Sequence, residues 1–192
     1  SRGLGDVYKR QSSMTGVDQL SLRSDFLGRE RLADALRALV SIDSVNPSYG
    51  GPAGGEARCV DWIAAHLAVA GLKPRIIEAM PGRPNLVVHL EGENPKKCLM
   101  FQTHVDTVTA VGMTIDPFGG ALQGTRLPGR GSTDAKGQVI AMVHALMAWA
   151  LSDIKPPVSI CFAACVDEEF GFGGAKALLG DGIRADGIVI GE

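Results

Sequence analysis

The sequence predicts an α/β fold, a mixed and mostly parallel sheet covered by helices on both faces. Three observations carry this reading. Segments of helical and strand-like period alternate from Arg29 to Ile190. Pro157 to Val166 is a nearly continuous apolar run, as expected of a strand buried on both faces. One histidine and three acidic clusters, His104, Asp134, Asp167-Glu168-Glu169 and Glu192, are each expected at the end of an apolar strand-like run, where open α/β sheets bind ligands.

The elements follow in order. Arg29 to Val40 places Leu32, Ala35, Leu36 and Leu39 on one helical face. Asn46 to Gly55 is a Pro/Gly loop. Glu56 to Ala70 is a second helix, with Val60, Ile63, Ala64 and Leu67 aligned and Gly71 as its stop. Short strands are expected at Arg75–Glu78, Leu86–Leu90 and Cys98–Thr103, with a turn at Gly92-Glu93-Asn94-Pro95. Thr107 to Pro128 is irregular, and a loop of that length in a compact domain is usually functional or disordered. Ala135 to Leu151 is a helix apolar on most sides and therefore buried. Gly174 to Leu179 is a short helix, and Gly187 to Ile190 a last strand.

Composition narrows the class. Of 192 residues, 45% are hydrophobic and 21% charged, enough apolar material for a real core. The net charge of −2 and scattered Lys and Arg argue against a nucleic-acid or membrane-surface partner. No apolar run approaches the roughly 20 residues that cross a bilayer. Residues 1–13 have neither a hydrophobic signal core nor a helical period, and Ser1 to Gln11 reads as a cloning or assembly scar ahead of Met14. Cys59, Cys98, Cys161 and Cys165 read as buried reduced thiols in a cytoplasmic protein. Cys161 and Cys165 stand four strand residues apart, about 13 Å, too far to share one ion.

The candidate chemistry lies in the polar clusters. His104 and Asp106 are two apart at a strand end and point the same way. The Asp106 carboxylate is placed to hold one ring nitrogen of His104, leaving the other for a metal. Asp134 follows the Gly-rich turn Gly129-Arg130-Gly131 and precedes the buried helix. There it either bridges two ions or caps the helix. Asp167-Glu168-Glu169 has no Lys or Arg beside it in sequence, so its mutual repulsion invites a cation. One glutamate of the pair can ligate while its neighbour faces water as a general base. Glu192 ends a buried-looking strand, where an isolated carboxylate is costly without a partner. His66, His89 and His144 read as packed or surface histidines. A phosphate-binding reading of the Gly129–Gly137 turn, with Arg126, Arg130 and Lys136 nearby, lacks the P-loop order of residues. A non-catalytic binding module of the same fold is expected to lack at least one of His104, Asp134, Glu168 and Glu169, and all four are present.

Five motifs in order carry a resemblance. Thr103-His104-Val105-Asp106-Thr107-Val108, Asp116-Pro117-Phe118, Gly129-Arg130-Gly131 to Gly137, Asp167-Glu168-Glu169 and Gly191-Glu192 resemble the co-catalytic zinc hydrolases of the acetylornithine deacetylase, succinyl-diaminopimelate desuccinylase, aminoacylase and glutamate carboxypeptidase family. Ser44-Val45-Asn46-Pro47 is similar too, and the likeness covers nearly all of Leu27 to Glu192. It implies an aminopeptidase-like catalytic domain with two zinc ions, although cobalt or manganese suits the same ligands. His104 and Glu192 are then expected on the first ion, Asp134 between the two, and Glu169 on the second. Glu168 is the expected general base and Asp106 the residue that orients His104. The implied reaction is hydrolysis of an N-acyl amino acid or dipeptide-like amide, and the Asp134–Ala135 peptide is expected cis. The resemblance also implies a further zinc histidine and a lid and dimerisation domain that are absent here. Residues 14–192 therefore read as the N-terminal part of a catalytic domain, with little turnover expected of this chain alone and a homodimer possible for the full-length enzyme.

Overall fold

The structure is a computed structural model and describes residues 26–192; the reading of residues 1–13 as a non-native leader lies outside them. Among these residues four α-helices and five strands follow in the order α1 (Arg29–Val40), α2 (Gly55–Ala68), β1 (Arg75–Met80), β2 (Arg83–Leu90), β3 (Asn94–His104), α3 (Lys136–Ala150), β4 (Val158–Cys165), α4 (Gly173–Gly180) and β5 (Gly187–Ile190). α1 and β5 keep their expected bounds; the other elements shift by a few residues at their ends.

The sheet order is β1-β2-β4-β3-β5. β3 pairs in parallel with β4 and β5, while β2 runs antiparallel to both β4 and β1. Four of the five strands therefore run one way and β2 alone opposes them. The α/β expectation of a mixed, mostly parallel sheet holds. β2 and β3 are consecutive in sequence but not paired, because β4 returns through α3 and inserts between them.

Side-chain alternation divides the core. Leu86, Val88, Ile160, Phe162, Ala164 and Val166 face one side and pack with Ile63, Leu67, Val139, Val143 and Met147 of α2 and α3. Val87, Met100, Cys161, Ala163 and Cys165 face the other side, under Leu178 of α4. β4 is buried along nearly its whole length, which explains its uninterrupted apolar run. Burial lifts the thiols of Cys161 and Cys165 to about 11 and about 12, and all four cysteines are free.

β5 corrects one expectation. It is an edge strand paired only with β3, and Ile188, Val189 and Ile190 are 54%, 44% and 67% exposed. Its apolar run resembles a buried strand, but no neighbour among the described residues covers its outer side. Among the described residues no helix is long and apolar enough to cross a membrane.

Candidate metal centre

Strand register builds the site. His104 is the last residue of β3 and pairs with Cys165 of β4. Two residues further, Asp106 and Asp167 lie alongside one another, tied by the Val105 N–H on the Cys165 carbonyl at 2.9 Å. On the other side Gln102 pairs with Ile190, so Glu192 comes level with His104. β3, β4 and β5 run in parallel, so His104, Asp167-Glu168-Glu169 and Glu192 gather at one edge, as open sheets require for ligand sites.

Asp134 arrives differently. No strand precedes it; it sits on the turn leading into α3, which corrects the expectation that it closes an apolar strand. Nor does it cap α3, whose first turn has no side-chain cap. Its Oδ1 lies 2.9 Å from His104 Nε2. The Asp134–Ala135 peptide is cis, as the resemblance implies.

Around the buried imidazole the carboxylates converge in two sets. Ligand atoms of His104, Asp134 and Glu169 lie within 4.8 Å of one another, and so do those of His104, Glu168 and Glu192. Glu168 Oε2 and Glu192 Oε2 each stand 4.0 Å from His104 Nε2. Among the described residues no Lys or Arg forms an ion pair with any of these four carboxylates. Glu192 is 61% exposed in its side chain, so burial does not force a partner on it.

Electrostatics follow from this crowding. Burial opposes charge on His104, but Asp106, Glu168 and Asp134 outweigh it and hold the imidazole up at about 9. Burial raises Glu168, and the charges of Glu192, Asp106 and Asp134 add to that rise against the pull of His104. Burial raises Glu169 as well, with Asp134 the leading like charge.

His104 Nδ1 sits 3.0 Å from the main-chain carbonyl of Asp106 and 3.5 Å from its Oδ1. The main-chain oxygen is therefore the nearer acceptor, where the sequence suggested the carboxylate. The Asp106 carboxylate instead accepts the N–H groups of Glu168 and Glu169 at 3.0 and 3.1 Å, and the Asn46 amide at 2.7 Å. Burial would raise Asp106, but His104, Asn46 and the Glu168 N–H hold it low.

The acidic triplet is also less uniform than the sequence implied. Asp167 pairs with Arg83 of β2 at 3.0 Å and takes a positive φ of 60°. Arg83 also pairs with buried Glu56, whose Oε1 accepts the Asp167 N–H at 2.9 Å. Arg83 neutralises Asp167 from the neighbouring strand β2, distant only in sequence, leaving Glu168 and Glu169 as the members of the triplet that face His104. The sequence reading missed Asn46, Glu56, Arg83 and Asp167 as supports. One signal existed: Glu56 falls in register with Val60, Ile63 and Leu67, a charge on an apolar face.

The remaining histidines are packed or exposed. His89 lies exposed on β2. His66 stacks on Trp62, and its Nε2 lies 3.1 Å from His144 Nε2. The glycine turn serves packing. A Cβ on Gly131, at φ +79°, would stand 2.7 Å from Thr107 Cγ2. Lys136 is buried and donates its Nζ to the Ile42 carbonyl at 2.7 Å, so its charge does not serve an anion at the turn.

Comparison with known proteins agrees with this geometry. Residues 100–192 match the model for peptidase family M20/M25/M40. The chain is 32% identical over 142 residues to a succinyl-diaminopimelate desuccinylase of Methylobacterium sp. (strain 4-46), covering 69% of this chain and 33% of that protein. It is 26% identical over 181 residues to an N-formyl-4-amino-5-aminomethyl-2-methylpyrimidine deformylase of Halalkalibacterium halodurans, covering 91% and 42%. Human carnosine dipeptidase 1 shares the fold, with a TM-score of 0.74 at 23% identity over 90% of this chain and 40% of that one. The chain thus spans between a third and about two fifths of the length of these proteins. The motifs at the sheet edge, the family match over residues 100–192 and the shared fold agree, and what the chain is similar to is peptidase family M20/M25/M40.

Proposed function

We propose that this site is the metal centre of a hydrolase that cleaves the amide of an N-acyl amino acid or a dipeptide-like substrate. The observation that carries the reading is the convergence of Asp134, Glu168, Glu169 and Glu192 on the one imidazole of His104, with no Lys or Arg paired to them among the described residues. A neutral imidazole and several carboxylates form an N/O donor set that suits zinc, and also cobalt or manganese. The residues present therefore fit one divalent ion at His104 and part of the ligand set for a second. The family match and the names of the relatives, a desuccinylase, a deformylase and a dipeptidase, support amide cleavage.

In this reading His104 and Glu192 would hold the first ion, Glu169 the second, and Asp134 would serve both. A metal held here would supply Lewis acidity and make a water acidic near neutral pH. Glu168 would be the general base, accepting a proton from the attacking water at a carboxylate oxygen and later donating it to the leaving amine. Its raised pKa suits the shuttle, since a base working near neutrality transfers protons best with a pKa moved toward the working pH. Asp106 fixes the imidazole from its main-chain oxygen, with Nδ1 as donor and Nε2 free to ligate. Its carboxylate meanwhile anchors the glutamate turn. Four free cysteines support a cytoplasmic location.

The testing experiment is a Glu168→Gln substitution in the metal-loaded full-length enzyme that carries this segment, assayed on a panel of N-acyl amino acids and dipeptides. The reading expects amide hydrolysis, lost on chelation, from the full-length wild type and little turnover from this chain alone. In the variant kcat falls at least about a hundredfold while metal content stays the same. Unchanged turnover in E168Q would remove Glu168 from the mechanism.

A further inference from the structure

Asn46 is fully buried on the segment that enters the short 3-10 turn Pro47–Tyr49. Its main chain is laced to the extension of β3. The Asn46 N–H donates to the Thr107 carbonyl at 2.9 Å, and the Thr107 N–H to the Ser44 carbonyl at 3.1 Å. Its side chain has one possible orientation. Oδ1 accepts the Ser48 N–H at 2.9 Å, so Nδ2 points the other way, toward two acceptors. These are Asp106 Oδ2 at 2.7 Å and Asp167 Oδ1 at 3.1 Å. One amide nitrogen, with two hydrogens, thus serves two buried carboxylates that would otherwise repel each other.

Both carboxylates govern the glutamate turn. Asp106 accepts the N–H groups of Glu168 and Glu169, and Asp167 Oδ2 accepts the Gly173 N–H at 3.1 Å where α4 begins. Asp106 also carries the main-chain oxygen that meets His104 Nδ1. A single side chain thereby links the support of the imidazole to the support of the two glutamates facing it.

We propose that Asn46 is a positioning residue: by clamping Asp106 to Asp167 it sets where Glu168 and Glu169 stand relative to His104. The clamp is a pair of side-chain hydrogen bonds that fixes the main chain of the glutamate turn, while its effect on metal rests on the metal-centre reading above. A plain capping role is separable from it. Asn46→Asp keeps an oxygen for the Ser48 N–H but sets a third carboxylate against Asp106 and Asp167. Asn46→Ala removes both functions.

The test compares both variants with the wild-type protein in two measurements. The first is amide exchange at Glu168 and Glu169, read against α3 amides as an internal standard. The second is Co2+ titration followed by visible absorption. The clamp predicts that both glutamate amides exchange roughly tenfold faster or more in each variant, with N46D the worse of the two and α3 unchanged. It also predicts Co2+ affinity lower by about 10- to 100-fold with an altered absorption band. Wild-type exchange at Glu168 and Glu169 in N46D, with an effect in N46A alone, overturns the clamp and leaves only a cap. If wild-type protein binds no Co2+, the metal reading fails by itself, and the exchange rates still decide the clamp.

Discussion

His104 Nε2 lies 2.9 Å from Asp134 Oδ1, although the two residues come from different elements, the end of β3 and the turn before α3. Without metal, that contact and the neighbouring acids favour a protonated ring. With metal, the ring must be neutral. Proton and cation therefore compete for one nitrogen.

This competition sets a pH dependence. In metal-free protein the His104 pKa is raised from 6.5 to about 9. A raised folded-state value contributes stability that is fully present below the unfolded pKa and is lost as pH rises through about 9. The expected result is a metal-free protein whose His104 ring titrates near 9 by NMR and whose urea stability declines between pH 6.5 and 9 from this group. Metal affinity runs the other way, climbing over the same interval as the ion at His104 displaces the imidazole proton.

The pair of His66 and His144 predicts the opposite slope. His144 Nδ1 lies 2.7 Å from the Phe26 carbonyl, so it carries the proton there and its Nε2 accepts from His66. Burial, with the His144 ring adding, lowers His66 to about 4, and burial also lowers His144. Lowered imidazoles bind fewer protons folded than unfolded, so stability is retained above 6.5 and lost as pH falls toward 4. His66 alone is expected to remove roughly 2 kcal/mol between pH 8 and pH 5. Urea denaturation of wild type and His66→Phe at both pH values checks this, with a smaller pH difference expected in the variant.

The core makes a simpler prediction. Phe162 is fully buried at the centre of β4, between α2 and α3 on the larger core face. Phe162→Ala should destabilise the protein by about 3–5 kcal/mol, measured as a urea midpoint shift with unchanged slope. Loss of metal affinity in that variant is expected only where unfolding is already measurable.

Gly131 tests the turn before Asp134. Its φ is +79° and a Cβ there would meet Thr107 Cγ2 at 2.7 Å and Lys136 Cδ at 3.3 Å. Gly131→Ala should cost roughly 1–2 kcal/mol and weaken Co2+ binding through displacement of Asp134, whereas phosphate should bind neither form. Calorimetric titration with both ligands reads the difference.

Much of the site was legible because its residues follow strand signals. His104 closes an apolar strand, Glu168 and Glu169 lie just beyond β4, and Glu192 just beyond β5. Local period locates such ends, and parallel strands put their ends together. The supports were not legible, since Arg83 reaches Asp167 and Asn46 reaches Asp106 across long stretches of chain. A search for sequence neighbours finds no cation beside Asp167, while the fold supplies one from β2. Strand order escaped for the same reason. Nothing in the period of β2 or β3 announces that β4 will lie between them. The exposure of β5 was hidden because an apolar run reads alike whether its neighbours are present or not.

The most direct test of the account is a Co2+ titration of chelator-treated protein, in wild type and in the Asp134→Ala and Glu169→Ala variants. The expected result is saturable binding with visible absorption from a nitrogen and oxygen donor set, and a fall in affinity of at least about tenfold in each variant. Absent binding in wild type, or equal binding in all three proteins, would contradict a metal centre built on His104.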